Sequence, residues 1–523
     1  MPITEMLSRN ARVYPNKISL IERRPAENIR REITWLEFEN ISNSFANALI
    51  ARGIKKGDKV ALLMKNCLEW LPIYFGILKT GALAVPLNFR FTAEEIEKCL
   101  KTAEVKVLIY ESEFIERIDA IRENLTDIID YIFVGENCPE QATDFTELIQ
   151  KYFKDPPAVD ICDNDDAALY FTSGTTGVPK PIVLTHANLV SACITENRHH
   201  LQSSEDTFVC IPPLYHTGAK MHWFGSLIVG STAVILCGVK PKWILDAVSE
   251  EKASIVWLLV PWAQDILDAI ESGEVNLKDY TLKQWRLMHI GAQPVPPSLI
   301  KQWKKYFPNQ QYDTNYGLSE STGPGCVHLG MENSHKVGAI GLPGFNWEAK
   351  IVDNLGRAVP RGKVGELVIR GPGVMKGYYK NPEATRKILR DGWLYTGDMA
   401  RQDKDGFIYL VDRKKDVIIA GGENIFPVEI EDFLRAHEDI RDAAVIGMPD
   451  RRLGEIPVAI IEIKAGRLVD EEEIIRFCED LPKYKRPRKI IFDRVPRNPT
   501  GKIEKPKLRE KWCYQRESVF AAL

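Results

Sequence analysis

Apolar residues in this chain recur in two textures: short unbroken runs and longer stretches with helical spacing. Thr92 to Lys101 reads as an amphipathic helix, and VKVLIY (105–110) as a buried strand. AALYF (167–171) reads as another strand, followed by a loop of glycines and hydroxyl residues and a helix beginning near His186. The most apolar region, Trp223 to Cys237, is broken by Gly225, Gly230, Ser231 and Thr232, which divides it into a buried helix and a buried strand. IVWLLV (255–260) and LMHI (287–290) continue the series. From residue 33 onward strands and helices alternate, the pattern of an α/β domain with a largely parallel sheet.

The texture changes after about residue 345. EAKIVDNLGRAVPRGKVGELVIRG predicts hairpins with Gly and Pro turns. YLVDRKKDVIIAGGENIFP (409–427) is a second turning point, a strand, a charged knot and a Gly-Gly loop. Beyond it the pattern predicts a helix (427–437), strands (442–447 and 456–464), a helix (470–480) and a strand (489–494), a compact α+β unit of about 100 residues. The boundary falls at Asp412 to Asp416. A large N-terminal domain over 1–412, with a β-rich subdomain, therefore precedes a small C-terminal domain over 413–523.

Composition narrows the classes. At 523 residues the chain is too long for one hydrophobic core. Net charge is −3 and pI about 6.4, without the basic excess of a nucleic-acid-binding surface. No apolar run is long enough for a membrane-spanning helix. The segment MPITEMLSRN lacks the features of a secretory signal. Ten cysteines are scattered without a CxxC pair or Cys/His metal spacing, as expected of reduced core thiols in a cytoplasmic protein.

The loop after the 167–171 strand is YFTSGTTGVPKPIVLTHANL (170–189). A loop leaving a buried strand can present backbone N–H groups to an anion. Thr172, Ser173, Thr175 and Thr176 add hydroxyls, Gly174 and Gly177 clearance, and Lys180 a positive charge. A Walker loop needs Gly-Lys-Ser/Thr opening a helix. Here Val178 and Pro179 separate Gly177 from Lys180, and Pro181 follows, so the segment stays extended.

TSGTTGVPK resembles the phosphate loop of the adenylate-forming superfamily, which includes acyl-CoA synthetases, nonribosomal adenylation domains and beetle luciferases. PPLYHTGA (212–219), NYGLSEST (315–322), GWLYTGD (392–398), DRKKDVIIAGGENIFPVEIE (412–431) and PRNPTGKIEK (496–505) follow in that family's order. The resemblance implies an AMP-forming acid:CoA ligase. A carboxylate first attacks the α-phosphate of ATP, and a thiol then attacks the acyl carbon.

The resemblance also implies roles. Glu320 and Thr172 would hold Mg²⁺. Asn315, Tyr316 and Gly317 would line the nucleotide site, Tyr316 offering a ring face to adenine, and Ser319 a hydroxyl near the α-phosphate. Gly291, Ala292 and Gln293 would form the adenine-edge loop, although the family usually has a small residue where Gln293 stands. Asp398 suits the ribose hydroxyls, and Arg413 would contact the ribose or the phosphate. Lys502, in a turn of the small domain, would bridge the attacking carboxylate and the α-phosphate. Lys415 occupies the hinge position. After adenylation the face carrying Gly421, Gly422, Glu423 and Asn424 would turn inward and line the pantetheine tunnel. His216 would position the acyl carboxylate and guard that tunnel.

The acyl pocket is expected around Gly218, Leu318, Trp223, Trp257 and Trp262. Lys220 either faces it, pairing with a polar group on the acid, or points outward while the tryptophans are core. A tryptophan-stopped pocket suits a short, branched, cyclic or aromatic acid, and a long-chain fatty acid stays open. Expected partners are the acid, ATP and coenzyme A, with a homodimer as a family-level expectation. Three other readings stand beside this one: loading of a carrier protein, luciferase-like oxygenation, and a non-catalytic nucleotide scaffold. The absence of a fused carrier domain argues against the first. The intact Glu320, Asp398 and Lys502 argue against the last.

Overall fold

The computed structural model describes residues 1–172, 180–291, 295–329, 331–421, 423–497 and 503–514. Two large sheets carry the N-terminal part. One runs, in spatial order, Leu342–Pro343, Pro324–Leu329, Gln311–Gly317, Leu287–Gly291, Ile255–Leu259, Thr207–Cys210, Thr232–Leu236, Ile18–Arg24 and Ile29–Thr34. From Gln311–Gly317 to Ile18–Arg24 all neighbours are parallel. The other runs Gly377–Tyr378, Lys180–Thr185, Asp166–Thr172, Leu83–Pro86, Lys59–Leu63, Val107–Glu111, Asp130–Val134 and Thr143–Asp144.

Strand alternation sorts the faces. Val60 and Leu62 join Phe208 and Trp257 in a core that also holds residues of helices Trp35–Ala51, Trp70–Lys79 and Thr217–Val229, so these helices lie between the sheets. Ala61 and Leu63 face outward onto Ile96 and Leu100 of helix Ala93–Ala103. Val256 and Leu258 face helices Pro241–Glu250, Val260–Glu271 and Pro297–Tyr306. The sequence fixes several helix starts chemically. Thr34 with Glu37, Thr92 with Glu95, and Thr185 with Asn188 each satisfy two end N–H groups reciprocally.

The expected elements appear with small end shifts. The strand expected at 105–110 is Val107–Glu111, and that at 255–260 ends at Leu259, where Val260 opens a helix. Helix Ile3–Val13 and the hairpin Ile18–Arg24/Ile29–Thr34 precede the expected start of alternation.

An antiparallel sheet of Glu348–Val352, Val364–Arg370, Trp393–Gln402, Leu389–Arg390 and Ile408–Arg413 follows. The chain then enters a last sheet of Ile418–Ala420, Glu423–Ile425, Ile440–Asp450, Gly454–Ile463 and Lys489–Phe492, with helices Pro427–Arg435 and Glu471–Phe477. Residues 414–417 connect the two. Among the described residues no helix is long and apolar enough to cross a membrane.

His186 is fully buried, neither ring nitrogen has a hydrogen-bond partner among the described residues, and burial pushes its pKa down to about 4. The unfolded chain takes up a proton near pH 6.5 that the folded chain refuses. This stability is present above pH 6.5 and is lost as pH falls towards 4. The native chain should lose roughly 2–3 kcal/mol from this source between pH 7 and 4, and His186→Leu should not. Denaturant unfolding of both chains across that range checks it; equal pH slopes would contradict it.

Candidate active site

Parallel strands release their loops on one edge of a sheet. Val209 is register-paired with Val256, Leu259 with Gly291, and His289 with Asp313. The PPLYH turn, the loop after Gly291 and the turn at Gly317–Glu320 therefore leave the same edge. Gly317 is needed there, since a Cβ would stand 2.6 Å from the Gly323 carbonyl oxygen.

The second sheet brings Thr172 and Lys180, which flank residues 173–179, to this edge. Thr172 pairs with Lys180 across an antiparallel ladder, and Tyr378 pairs with Ile182 on the next strand. The Lys180 ammonium lies 5.7 Å from the Tyr378 ring centroid. The Tyr378 hydroxyl donates to Glu320 Oε1 at 2.9 Å, and burial together with that carboxylate raises the phenol's pKa. Beside them opens a cleft of about 290 Å³ lined by Lys180, Tyr378, Asn381 and Lys387. Thr217 donates to the Ser319 hydroxyl at 3.3 Å, tying this group to the PPLYH turn. Loop residues 173–179, and with them Ser173 to Gly177, lie outside the described residues.

Asp398 is 4% exposed. Its Oδ2 accepts from the Tyr316 hydroxyl at 2.5 Å, and its Oδ1 is 2.7 Å from Arg413 Nε. Burial and the Asp398 charge push the Tyr316 phenol well up. Asp398 and Arg413 are register partners on adjacent strands, so the pairing is built into the sheet. Asn315 donates to Glu196 Oε1 at 2.8 Å.

His216 caps helix Thr217–Val229: its Nδ1 accepts from the Gly218 N–H at 3.1 Å, which leaves the proton of a neutral ring on Nε2. A Cβ on Gly218 would stand 3.1 Å from His216 Nδ1 and 3.3 Å from Trp257 Cη2. The three expected pocket tryptophans separate. Trp257 faces Gly218. Trp223 is wholly buried against Phe38, Phe75 and Phe224, a core position of the helix layer. Trp262 packs on the opposite face of the nine-stranded sheet. Leu318 is half-buried against the β-rich subdomain. The side chains of Lys220 and His222, and residues Ala292 and Gln293, lie outside the described residues.

On the C-terminal side, burial together with Arg413 and Arg509 holds the Lys415 pKa below its ordinary value. Gly421 adopts φ 59°, and its N–H donates to the Leu453 carbonyl. Glu423 is exposed at the start of the strand Glu423–Ile425. Gly422 and Lys502 lie outside the described residues. Tyr378 was not anticipated from the sequence. It lies between Lys180 and Glu320 only because a two-residue strand docks on Lys180–Thr185.

The AMP-binding enzyme family matches residues 7–379, and the AMP-binding enzyme C-terminal domain matches 429–502. The chain is 33% identical to the long-chain-fatty-acid–CoA ligase FadD13 of Mycobacterium tuberculosis, over 97% of this chain and 98% of that one. The anthranilate CoA ligase AuaEII in complex with anthranoyl-AMP superposes with TM-score 0.89 at 29% identity, covering 100% of this chain and 98% of that one. The o-succinylbenzoate CoA synthetase MenE of Bacillus subtilis, in complex with ATP and magnesium, does so with TM-score 0.84 at 26% identity, covering 97% and 99%. This chain belongs to the AMP-binding enzyme family of the adenylate-forming superfamily. Within it, the chain is an acid–CoA ligase.

Tyr378→Phe removes the hydroxyl held by Glu320. A hydrogen bond to a charged group contributes about 1.5–3 kcal/mol, so acid-dependent pyrophosphate release should fall about 10-fold or more with the fold intact. Unchanged release, with circular dichroism confirming the fold, would separate Tyr378 from the site.

Proposed function

We propose that the chain first joins a carboxylic acid to ATP and then passes the acyl group to coenzyme A. In the first half-reaction a carboxylate oxygen bonds to the α-phosphorus as the bond to the β-phosphate breaks, releasing pyrophosphate. In the second, the thiolate sulfur bonds to the acyl carbon and AMP leaves. The observation that carries this reading is the meeting of Thr172, Lys180, Tyr378 and Glu320 at the sheet edge that also bears His216 and Gly218.

The residues divide the work. Lys180 and the loop before it grip the departing phosphates, and Ser319 lies beside the α-phosphate. Asn315, Gly317 and the Gly291–Gln293 loop hold the adenine against Tyr316, with Asp398 and Arg413 at the ribose. Thr172 and Glu320 are half-buried oxygen donors, the type a hard cation takes, and would hold Mg²⁺, whose charge neutralises phosphate oxygens. Lys502 aligns the two anions, so the small domain closes for adenylation. Rotation about Lys415 then brings Gly421 to Glu423 to the thiol path.

A cleft of about 660 Å³ lined by Lys65, Phe89, Arg90 and Arg117 supports coenzyme A as acceptor. Its three basic side chains outnumber the one carboxylate, Glu113, which pairs with Lys65 and Arg117, and the Phe89 ring meets Tyr215, next to His216, at 5.4 Å. For the acid, Trp257 against Gly218 supports a compact aromatic or cyclic carboxylate. The neighbours named for anthranilate and o-succinylbenzoate support the same choice, while the relative named for long-chain fatty acids supports an extended acid, and the Trp257–Gly218 contact decides between them here.

Two measurements test the assignments. Lys502→Ala should lower pyrophosphate release by about 100-fold or more, while transfer from a supplied acyl-adenylate to CoA stays within about threefold. Equal loss of both half-reactions would refute the role. Gly218→Ala narrows the space beside Trp257, so it should raise the KM for an aromatic acid about 10-fold or more and leave the KM for ATP unchanged. An unchanged acid preference across a carboxylate panel, read as acyl-CoA formation, would overturn the pocket reading.

A further inference from the structure

A buried carboxylate makes contacts across the hinge. Asp412 lies near the end of strand Ile408–Arg413, register-paired with Met399 of the β-rich sheet. The chain stays fixed to that sheet through Lys414, whose N–H donates to the Gly397 carbonyl. Apart from the neighbouring Arg413 N–H, which Oδ1 accepts at 2.7 Å, the partners of Asp412 lie beyond Lys415. Its Oδ2 accepts the N–H of Val428, in the first turn of helix Pro427–Arg435, at 3.0 Å. The ionisable groups that act on it most strongly are Lys505, at the start of helix Lys505–Arg509, and Glu431. All three side chains are buried.

We propose that Asp412 is a positioning residue for the two half-reactions: protonation of its carboxylate sets the balance between the orientation of the small domain seen here and a rotated one. This rests on the rotation about Lys415 inferred above. Rotation there leaves Asp412 on its sheet and carries Val428, Lys505 and Glu431 away. In the present orientation the ionised carboxylate is only partly compensated, because the cations around it are committed elsewhere. Lys505 pairs with Glu431 at 2.8 Å, Arg413 with Asp398 at 2.7 Å, and Arg509 with Asp416 at 2.8 Å. Burial outweighs Lys505 and the two N–H donors and raises the Asp412 pKa to about 6. Once the C-terminal partners leave and water reaches the group, it returns to the ordinary carboxylate range. The present orientation thus holds a proton on Asp412 that the rotated one releases. It gains weight as pH falls through 6 and loses weight as pH rises, and the ratio of the two orientations shifts about 10-fold between pH 8 and pH 5.

The test follows the domains directly in the full-length chain. Fluorophores carried on non-canonical amino acids at Leu355 and Leu468, exposed positions on either side of the hinge, report the separation by single-molecule energy transfer. Two populations should appear, with a ratio that shifts about 10-fold between pH 8 and pH 5. In Asp412→Asn, which is neutral throughout, the ratio should stay constant. The ratio of acid-dependent pyrophosphate release to acyl transfer from a supplied acyl-adenylate should likewise change about 10-fold more in the native chain than in Asp412→Asn over that range. A merely structural role would lower both half-reactions alike. Two populations whose ratio is constant with pH in the native chain, or a shift that persists in Asp412→Asn, would overturn the role of Asp412 alone. A single population at every pH would overturn the rotation as well. The native-chain measurement does not depend on the variant folding.

Discussion

The buried carboxylate of Asp398 is the constraint on which the arrangement of parts depends. A carboxylate at 4% exposure must be compensated where it lies. Its two partners come from different elements: Tyr316 ends a strand of the nine-stranded sheet, and Arg413 ends the last strand of the β-rich sheet. Neither sheet can shift without exposing or unpairing the charge. The same contact fixes where the connecting segment begins. Lys414 donates its N–H to the Gly397 carbonyl and its ammonium to Glu366, so the chain is anchored up to the residue before Lys415.

Much of the fold was legible because its signals are local. Apolar runs between Gly and Pro turns marked the buried parallel strands, and helical spacing of apolar residues marked helices such as Ala93–Ala103. The N-terminal hairpin escaped because its strands, ISLIERR and IRREIT, are charge-rich. Glu22 in the first of them is wholly buried and bonded by Arg24 and Arg31, an arrangement visible only once the strands are paired. Trp223 and Trp257 look alike in sequence. Helical spacing does not say which side of helix Thr217–Val229 meets a pocket, and strand alternation gives two faces without saying which holds the ligand.

The site was legible in a different way. Its motifs lie in loops, where residue type reflects chemistry rather than packing. The contacts that join those motifs were not, because they arise from strand register. Tyr378 reaches Glu320 through a two-residue strand, and His289 meets Asp313 across neighbouring strands.

The hairpin at the start of the chain also bears on how the molecule is made. Strand Ile18–Arg24 completes its pairing only with Thr232–Leu236. At about 5–20 residues per second, a ribosome needs roughly 10–40 s to supply that partner after the first strand has emerged. During that interval the strand has only its hairpin neighbour, and its unpaired edge is open to other chains. The abundance of Arg and Glu in these two strands then has a second value: charge along an open edge discourages wrong pairing until the right one has been synthesised.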